Sequence, residues 1–288
     1  MKILKYFLQS LIIYIFYLVI LILGLYISRK LFSYLFNIFG PLIRSNKIIE
    51  SNLLKINKNY KNSEIKKISK KMWNNYSKIF VEYIFLNKFK KQNKHIIIKN
   101  KDILDNLLTS KKPIIFVSGH FANFELMSME LIKNNFKLAT IYRPLNNLFL
   151  NPFMEFLRRN YVCKNQIKKG RLGVKEAVKF IKNDHNIALM IDQRVSEGKI
   201  LNFFNCPALT TTLPAQLAVK YNCDIVPIYI ARQDNEIFVM EIYNPIKIPK
   251  EFDSEKLKEE ISLNLNKVLE SMIEKDPGQW ILTHNRWK

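Results

Sequence analysis

The sequence predicts an α/β domain, a central and mostly parallel sheet flanked by helices, preceded by an N-terminal transmembrane helix. Three observations carry that prediction. Short apolar runs suited to buried strands recur at 113–118, 136–144, 185–192, 224–232 and 236–245. Stretches of helical length and periodicity separate most of them, as crossover connections between parallel strands require. Ahead of these the chain opens MKILKYFLQSLIIYIFYLVILILGLYISRK, in which residues 11–27 hold no charge.

Taken in order, the apolar run from Tyr6 extends as a helix over roughly 30 Å, enough for the hydrocarbon core of a bilayer. No small-x-small cleavage site precedes Arg29-Lys30, so it is read as a retained anchor rather than a cleaved signal. The segment LFSYLFNIFGPLI at 31–43 is shorter and polar-studded. It is expected to break at Gly40-Pro41 and either to lie along the membrane or to line a groove facing it. The chain is thus divided into an anchor and interfacial segment, 1–43, and a globular domain, 44–288. Removal of residues 1–30 is expected to spare much of the fold.

Residues 44–95 read as helical, with Ile65, Met72, Trp73, Tyr76, Phe80 and Tyr83 on an apolar stripe. Glu82 interrupts that stripe and is expected to pair internally. Helices are predicted after the first strand (FELMSMELIKNN), at NPFMEFLRRN, at RLGVKEAVKFIKND and at LPAQLAVKYN. The last two strands are separated only by RQDNE and are expected to be antiparallel. A final amphipathic helix covers 253–275, with Asp253 as its N-cap.

Composition narrows the partners. Lys plus Arg number 46 against 24 acidic residues, a formal charge of +22 spread through the body. Such a field favours anionic partners: acidic lipid, an acidic protein or nucleic acid. Cys163, Cys206 and Cys223 have no CxxC spacing, and the four histidines form no HExxH pattern, so neither a disulfide framework nor a metal site is expected.

The stretch IIFVSGHFANFE, 114–125, concentrates the chemistry. Ligands of open α/β sheets bind beyond the carboxyl ends of strands, where His120 falls. A neutral imidazole there can take a proton from an attacking hydroxyl. Glu125 can hold the other ring nitrogen, provided that a loop–helix junction separates the two. The alternative is a histidine that caps the sheet edge. Arg143 and Arg171 suit phosphate, or are ordinary surface cations. Asp192-Gln193 ends a strand, contacting substrate or closing the sheet. Phe203-Phe204 either line an acyl groove or pack in the core. Thr210, Thr211 and Thr212 read as turn residues, and Trp280 and Trp287 as packing.

HFANFE resembles the H-x4-D/E motif of glycerolipid and lipid A acyltransferases. IYRP at 141–144, GRLG at 170–173, IDQR at 191–194, NFFNCPALTTTLPAQLA at 202–218 and the terminal QWILTHNRWK follow in the order seen in bacterial lipid A biosynthesis lauroyl/myristoyl acyltransferases. The resemblance covers nearly the whole chain. It implies a single-pass protein of the bacterial inner membrane, its 44–288 domain catalytic and cytoplasmic. Such an enzyme moves a fatty acyl chain from acyl-[acyl carrier protein] to a hydroxyl of an acyl chain on a (Kdo-)lipid A precursor. It implies no metal or cofactor. His120 matches the family's base and Glu125 its partner, while Arg143, Arg171, Asp192 and Gln193 match substrate-side positions. Acyl carrier protein, the lipid A precursor and anionic lipid are the partners implied. The sequence departs from the family after Gln193, where Gly198 stands alone, and at Asn205, where a glycine is common; both bear on chain length and acceptor detail. An acyl-CoA-dependent glycerolipid or glycolipid acyltransferase is the alternative. A membrane-anchored nucleic-acid binder is the third reading, with no recognition helix or RNA-binding aromatic motif behind it.

Overall fold

The computed structural model describes residues 2–110, 112–248 and 254–287. Asp253, expected as a cap, lies outside the described residues. The sheet has seven strands: β1 (Ile96–Lys99), β2 (Ile114–Ser118), β3 (Leu138–Tyr142), β4 (Asn165–Lys168), β5 (Asn186–Met190), β8 (Asp224–Arg232) and β9 (Phe238–Ile242). A separate antiparallel hairpin pairs β6 (Lys199–Phe203) with β7 (Cys206–Thr210). The order across the sheet is β1-β9-β8-β2-β5-β3-β4, and every pairing is parallel except β8 with β9. The mostly parallel sheet and its antiparallel last pair are as expected from the sequence.

The strands are apolar on both faces because helices cover both. Ile115, Val117, Ile187 and Leu189 pack on one side with α2 (Asn46–Ile56), α3 (Asn62–Glu82), α8 (Arg171–Lys182), α9 (Leu213–Tyr221) and α10 (Ser254–Lys275). Ile114, Phe116, Ala188 and Val226 pack on the other with α4 (Leu86–Lys91), α5 (Lys101–Thr109), α6 (Glu125–Lys133) and α7 (Asn151–Leu157). This period-two division of one strand between two cores is what burial of both faces demands.

The N-terminal helix α1 (Lys2–Ile43) is long and apolar enough to cross a membrane by length and composition. It is not straight. Gly24 sits at φ +72°, ψ 171°, and the chain folds back there. The rings of Phe16 and Phe32 meet at 5.6 Å, and Ser28 Oγ donates to the Ile20 carbonyl at 3.3 Å. In a continuous helix sixteen residues would separate those rings by roughly 24 Å of rise. The single apolar helix expected over 11–27 is therefore interrupted, and the break expected at Gly40-Pro41 does not occur. Gly40 serves packing instead: a Cβ there would come within 2.5 Å of the Trp73 ring. One side of the hairpin lies on the body, with Tyr17 stacked on Phe80 at 5.1 Å and Phe32 and Phe36 packed on the same ring. The other side is bare, Ile3, Leu8, Leu11, Ile12, Leu18 and Ile22 all being exposed.

Glu82 does pair internally, and it ties the hairpin to the sheet. Its buried carboxylate takes Arg29 at 2.7 Å, Arg232 at 2.6 Å and Asn123 Nδ2 at 2.9 Å. Burial alone would raise its pKa, but the two guanidinium charges outweigh that and hold it below the usual range. Glu82→Gln should cost about 3–5 kcal/mol, since it removes the buried anion between Arg29 and Arg232 and leaves them only the more exposed Glu236, at 3.5 and 3.2 Å. Thermal melts in detergent check this; an unchanged midpoint would refute it.

Candidate functional site

Strands β2 and β5 lie side by side with Ser118 opposite Met190. Two residues further on, at the carboxyl edge, His120 faces Asp192. The loop between them is tight. Gly119 carries no side chain because a Cβ would stand 2.7 Å from the Phe121 ring and 3.3 Å from Asp192 Cβ. Ala122 is held at φ +40°, a left-handed conformation costing a non-glycine residue about 1–3 kcal/mol unless its surroundings enforce it.

His120 Nδ1 lies 2.8 Å from Asp192 Oδ1, and the His120 backbone N–H donates to Asp192 Oδ2 at 3.0 Å. Trp280 Nε1 donates to the same Oδ2 at 2.7 Å. Burial would push Asp192 up, but the imidazole charge and these hydrogen bonds prevail and lower it from 3.8 to about 2. An ionised Asp192 puts the proton of a neutral ring on Nδ1 and leaves the Nε2 lone pair available. Because its folded pKa is depressed, Asp192 contributes stability that is full above about pH 4 and lost as pH falls through about 2. The Gln193 amide nitrogen stands 3.4 Å from the same Nδ1, and the Phe124 ring packs edge-on against the imidazole at 4.6 Å.

Glu125 is not the partner of the imidazole. The chain turns through Ala122 and α6 begins at Glu125 itself, so its carboxylate is directed elsewhere. Tyr83 Oη donates to its Oε1 at 2.7 Å, and Arg158 donates through Nε at 2.7 Å. That buried triad raises the pKa of Arg158: burial would lower it, and the Glu125 charge more than offsets this. The ring contact expected of Glu125 is made by Asp192, which the sequence had suggested as a substrate contact.

The remaining positions lie along the same edge. Arg143 follows β3 and is exposed; β3 runs beside β5, with Tyr142 opposite Lys168 of β4 on its far side. Lys169, not anticipated, thus stands beside Arg143, its N–H bonded to the Tyr142 carbonyl at 2.8 Å. Its pKa is lowered, first by desolvation and then by the Arg143 charge. Arg171 opens α8, exposed, further along. At about 4.8 Å per strand, Arg143 is roughly 10 Å and Lys169 roughly 14 Å from His120 along the edge. His284 lies near enough to sense the site: desolvation and then the His120 charge lower its pKa. Phe203 and Phe204 are buried against Trp287, at 5.4 and 6.4 Å. Thr210, read as a turn residue, instead ends strand β7, its Oγ1 accepting from Arg286, while Thr212, just before α9, accepts from Gln216 Nε2.

A polar cleft of about 540 Å³ elsewhere is lined by Lys71, Lys78, Arg232, Glu236 and Asp276. Its charges pair with one another, Lys71 with Asp276 and Lys78 with Glu236. Among the described residues, no three His, Cys, Asp or Glu side chains gather in a way that could hold a metal ion.

The crystal structure of the 1-acyl-sn-glycerophosphate (LPA) acyltransferase PlsC from Thermotoga maritima is similar at 16% identity and a TM-score of 0.38, over 86% of this chain and 98% of that one. No curated protein matches the sequence. The family model for bacterial lipid A biosynthesis acyltransferases, in contrast, matches residues 1–288. With its whole length matched, and a histidine at the sheet's carboxyl edge, the chain belongs to that family and is an acyltransferase.

Proposed function

We propose that the chain transfers a fatty acyl group from acyl-[acyl carrier protein] to a hydroxyl on an acyl chain of a (Kdo-)lipid A precursor, with His120 as general base. The observation that carries this reading is the His120–Asp192 pair, 2.8 Å apart at the carboxyl edge with Nε2 left over, in a chain of this family. The acceptor hydroxyl oxygen attacks the thioester carbonyl while Nε2 takes its proton. The tetrahedral adduct then expels the thiolate of the donor's pantetheine arm, which recovers that proton from the imidazolium. Products are an ester and a thiol, with no acyl-enzyme. Asp192 steadies the imidazolium. Glu125, bound by Arg158 and Tyr83, supports the start of α6.

Lipid A precursors carry phosphates, and Kdo adds carboxylates; the donor protein is acidic. The row Arg143, Lys169 and Arg171 suits such anions. Changing Arg143 or Arg171 to Ala should cost roughly 2–5 kcal/mol in kcat/KM if its partner anion is desolvated. Steady-state kinetics on the folded variants check this, and near-normal constants for both substrates would return these arginines to the solvent. A cytoplasmic body, in an inner membrane, follows from the proposed donor. Acyl transfer to lipid A precursor and to lysophosphatidic acid, each with acyl carrier protein and CoA thioesters, tests the reading. It fails if glycerolipid and CoA thioester are the preferred pair. Mass spectrometry of the product then gives chain length and the acylated hydroxyl.

A further inference from the structure

The segment after α10 runs past the catalytic loop and pairs with it on both sides of Phe121, directly after His120. Ala122 N–H donates to the Gln279 carbonyl at 2.9 Å, and Ile281 N–H to the His120 carbonyl at 3.2 Å, with Phe121 and Trp280 forming an antiparallel bridge between. The left-handed Ala122 is thereby enforced by this second segment. Beyond the bridge the chain is tied down again. Asn52 Nδ2 donates to the carbonyls of Leu282 and His284 at 2.9 and 2.6 Å. Arg286, fully buried, donates to Leu209 O at 2.7 Å and Thr210 Oγ1 at 2.9 Å, and Trp287 Nε1 donates to Phe203 O at 3.0 Å.

Within that strap one side chain reaches the chemistry. Asp192 has two oxygens and three donors: Oδ1 serves the imidazole, while Oδ2 takes the His120 backbone N–H and the Trp280 indole N–H. Two donors on one oxygen fix the plane of the carboxylate and keep Oδ1 on Nδ1. Trp280 is 2% exposed, and its indole N–H has this acceptor inside the protein. A phenyl ring would fill most of the same space and leave the carboxylate one donor short.

We propose that Trp280 is a positioning residue for the acyl transfer, acting through Asp192, and that the 279–287 strap completes the catalytic edge. The proposal rests on His120 being the base. Trp280→Phe in the full-length chain, in detergent or vesicles, should lower kcat about tenfold to a hundredfold. KM for both substrates should stay within about twofold, and the melting midpoint should fall by only a few degrees, as loss of one donor to a buried carboxylate implies, with the chain folded at the assay temperature. In the Asp192→Asn background, the same change should cost nothing further, because the path it acts through is already cut. If Trp280→Phe folds poorly, benzothienylalanine placed at position 280 swaps the N–H for sulfur and keeps the ring shape; the same losses are expected. A kcat within twofold of the parent overturns the proposal. So do losses that multiply with Asp192→Asn, and so does a loss in kcat that only follows the unfolded fraction. His120→Ala is run alongside: parental activity there removes the reading of His120 as base, whereas its inactivity with an unaffected Trp280→Phe removes only the role of Trp280.

Discussion

His120→Ala is expected to lower single-turnover acyl transfer from acyl carrier protein by at least about a hundredfold, since general-base catalysis is worth about 10²–10⁴ in rate. Binding of the lipid acceptor should suffer less, because the role proposed for the imidazole brings it to the reacting hydroxyl alone. The stability cost should be about 1–3 kcal/mol: the ring is partly exposed, 19% of its surface, but its strong contact is to the buried Asp192, which keeps its two donors on Oδ2. Added chelator should leave the parental rate intact. Glu125→Gln separates the two carboxylates. With its carboxylate taken by Arg158 and Tyr83 rather than by the ring nitrogen, its loss should appear in the melting midpoint more than in kcat. An alanine variant that transfers acyl groups at the parental rate would remove His120 from the chemistry. A trapped acylated enzyme would keep the histidine and overturn direct attack.

Deleting residues 1–30 is expected to unfold the body, contrary to the separable anchor that the apolar sequence suggested. The deletion strips Tyr17 and Ile20, both buried, from the aromatic cluster around Phe80. It also removes Arg29 from buried Glu82. Breaking a buried ion pair costs about 3–5 kcal/mol, and fully burying an aliphatic side chain is worth about 1.5–3 kcal/mol. Even with Glu82 keeping Arg232 and Asn123, these losses are comparable to the lower end of a typical domain stability of about 5–15 kcal/mol. Circular dichroism and limited proteolysis of the truncated chain in detergent check the outcome. A cooperative melt at the parental midpoint would show that hairpin and body are independent.

The parts of this fold that could be read from the sequence are those whose signal is local. β2, β3, β5, β8 and β9 each announce themselves as apolar runs covered on both faces. β1 and β4 have four residues each, and β4, NQIK, puts a single aliphatic side chain, Ile167, into the core. The β6–β7 hairpin turns at Phe204 and Asn205, with φ of 52° and 55°; without a glycine there, the usual signature of such a turn is missing. The site divides in the same way. His120 was legible because it ends a strand. Its carboxylate was assigned to the near neighbour, Glu125, whereas the chain supplies Asp192, 72 residues on, and Trp280, 88 beyond that. Tyr83 and Arg158, which claim Glu125, are 42 and 33 residues from it. Pairings across such spans are made by the order of strands in the sheet, which spacing along the chain does not encode. One glycine in a long apolar run reads as tolerated, so the sequence carries no signal for the reversal at Gly24.

The reversal at Gly24 also orders events during synthesis. Both arms of the hairpin leave the ribosome before Phe80 and Phe153, the rings against which Tyr17 packs. In that interval the only apolar phase open to them is lipid, so the nascent hairpin is expected to enter the bilayer first, and the enzyme to condense upon it. Ribosome-bound chains ending short of residue 80 should already sediment with membranes. Nascent chains of that length found free of membranes would reverse the order. Catalytic competence would then be acquired only where the acceptor already resides, with assembly itself confining the reaction to the bilayer surface.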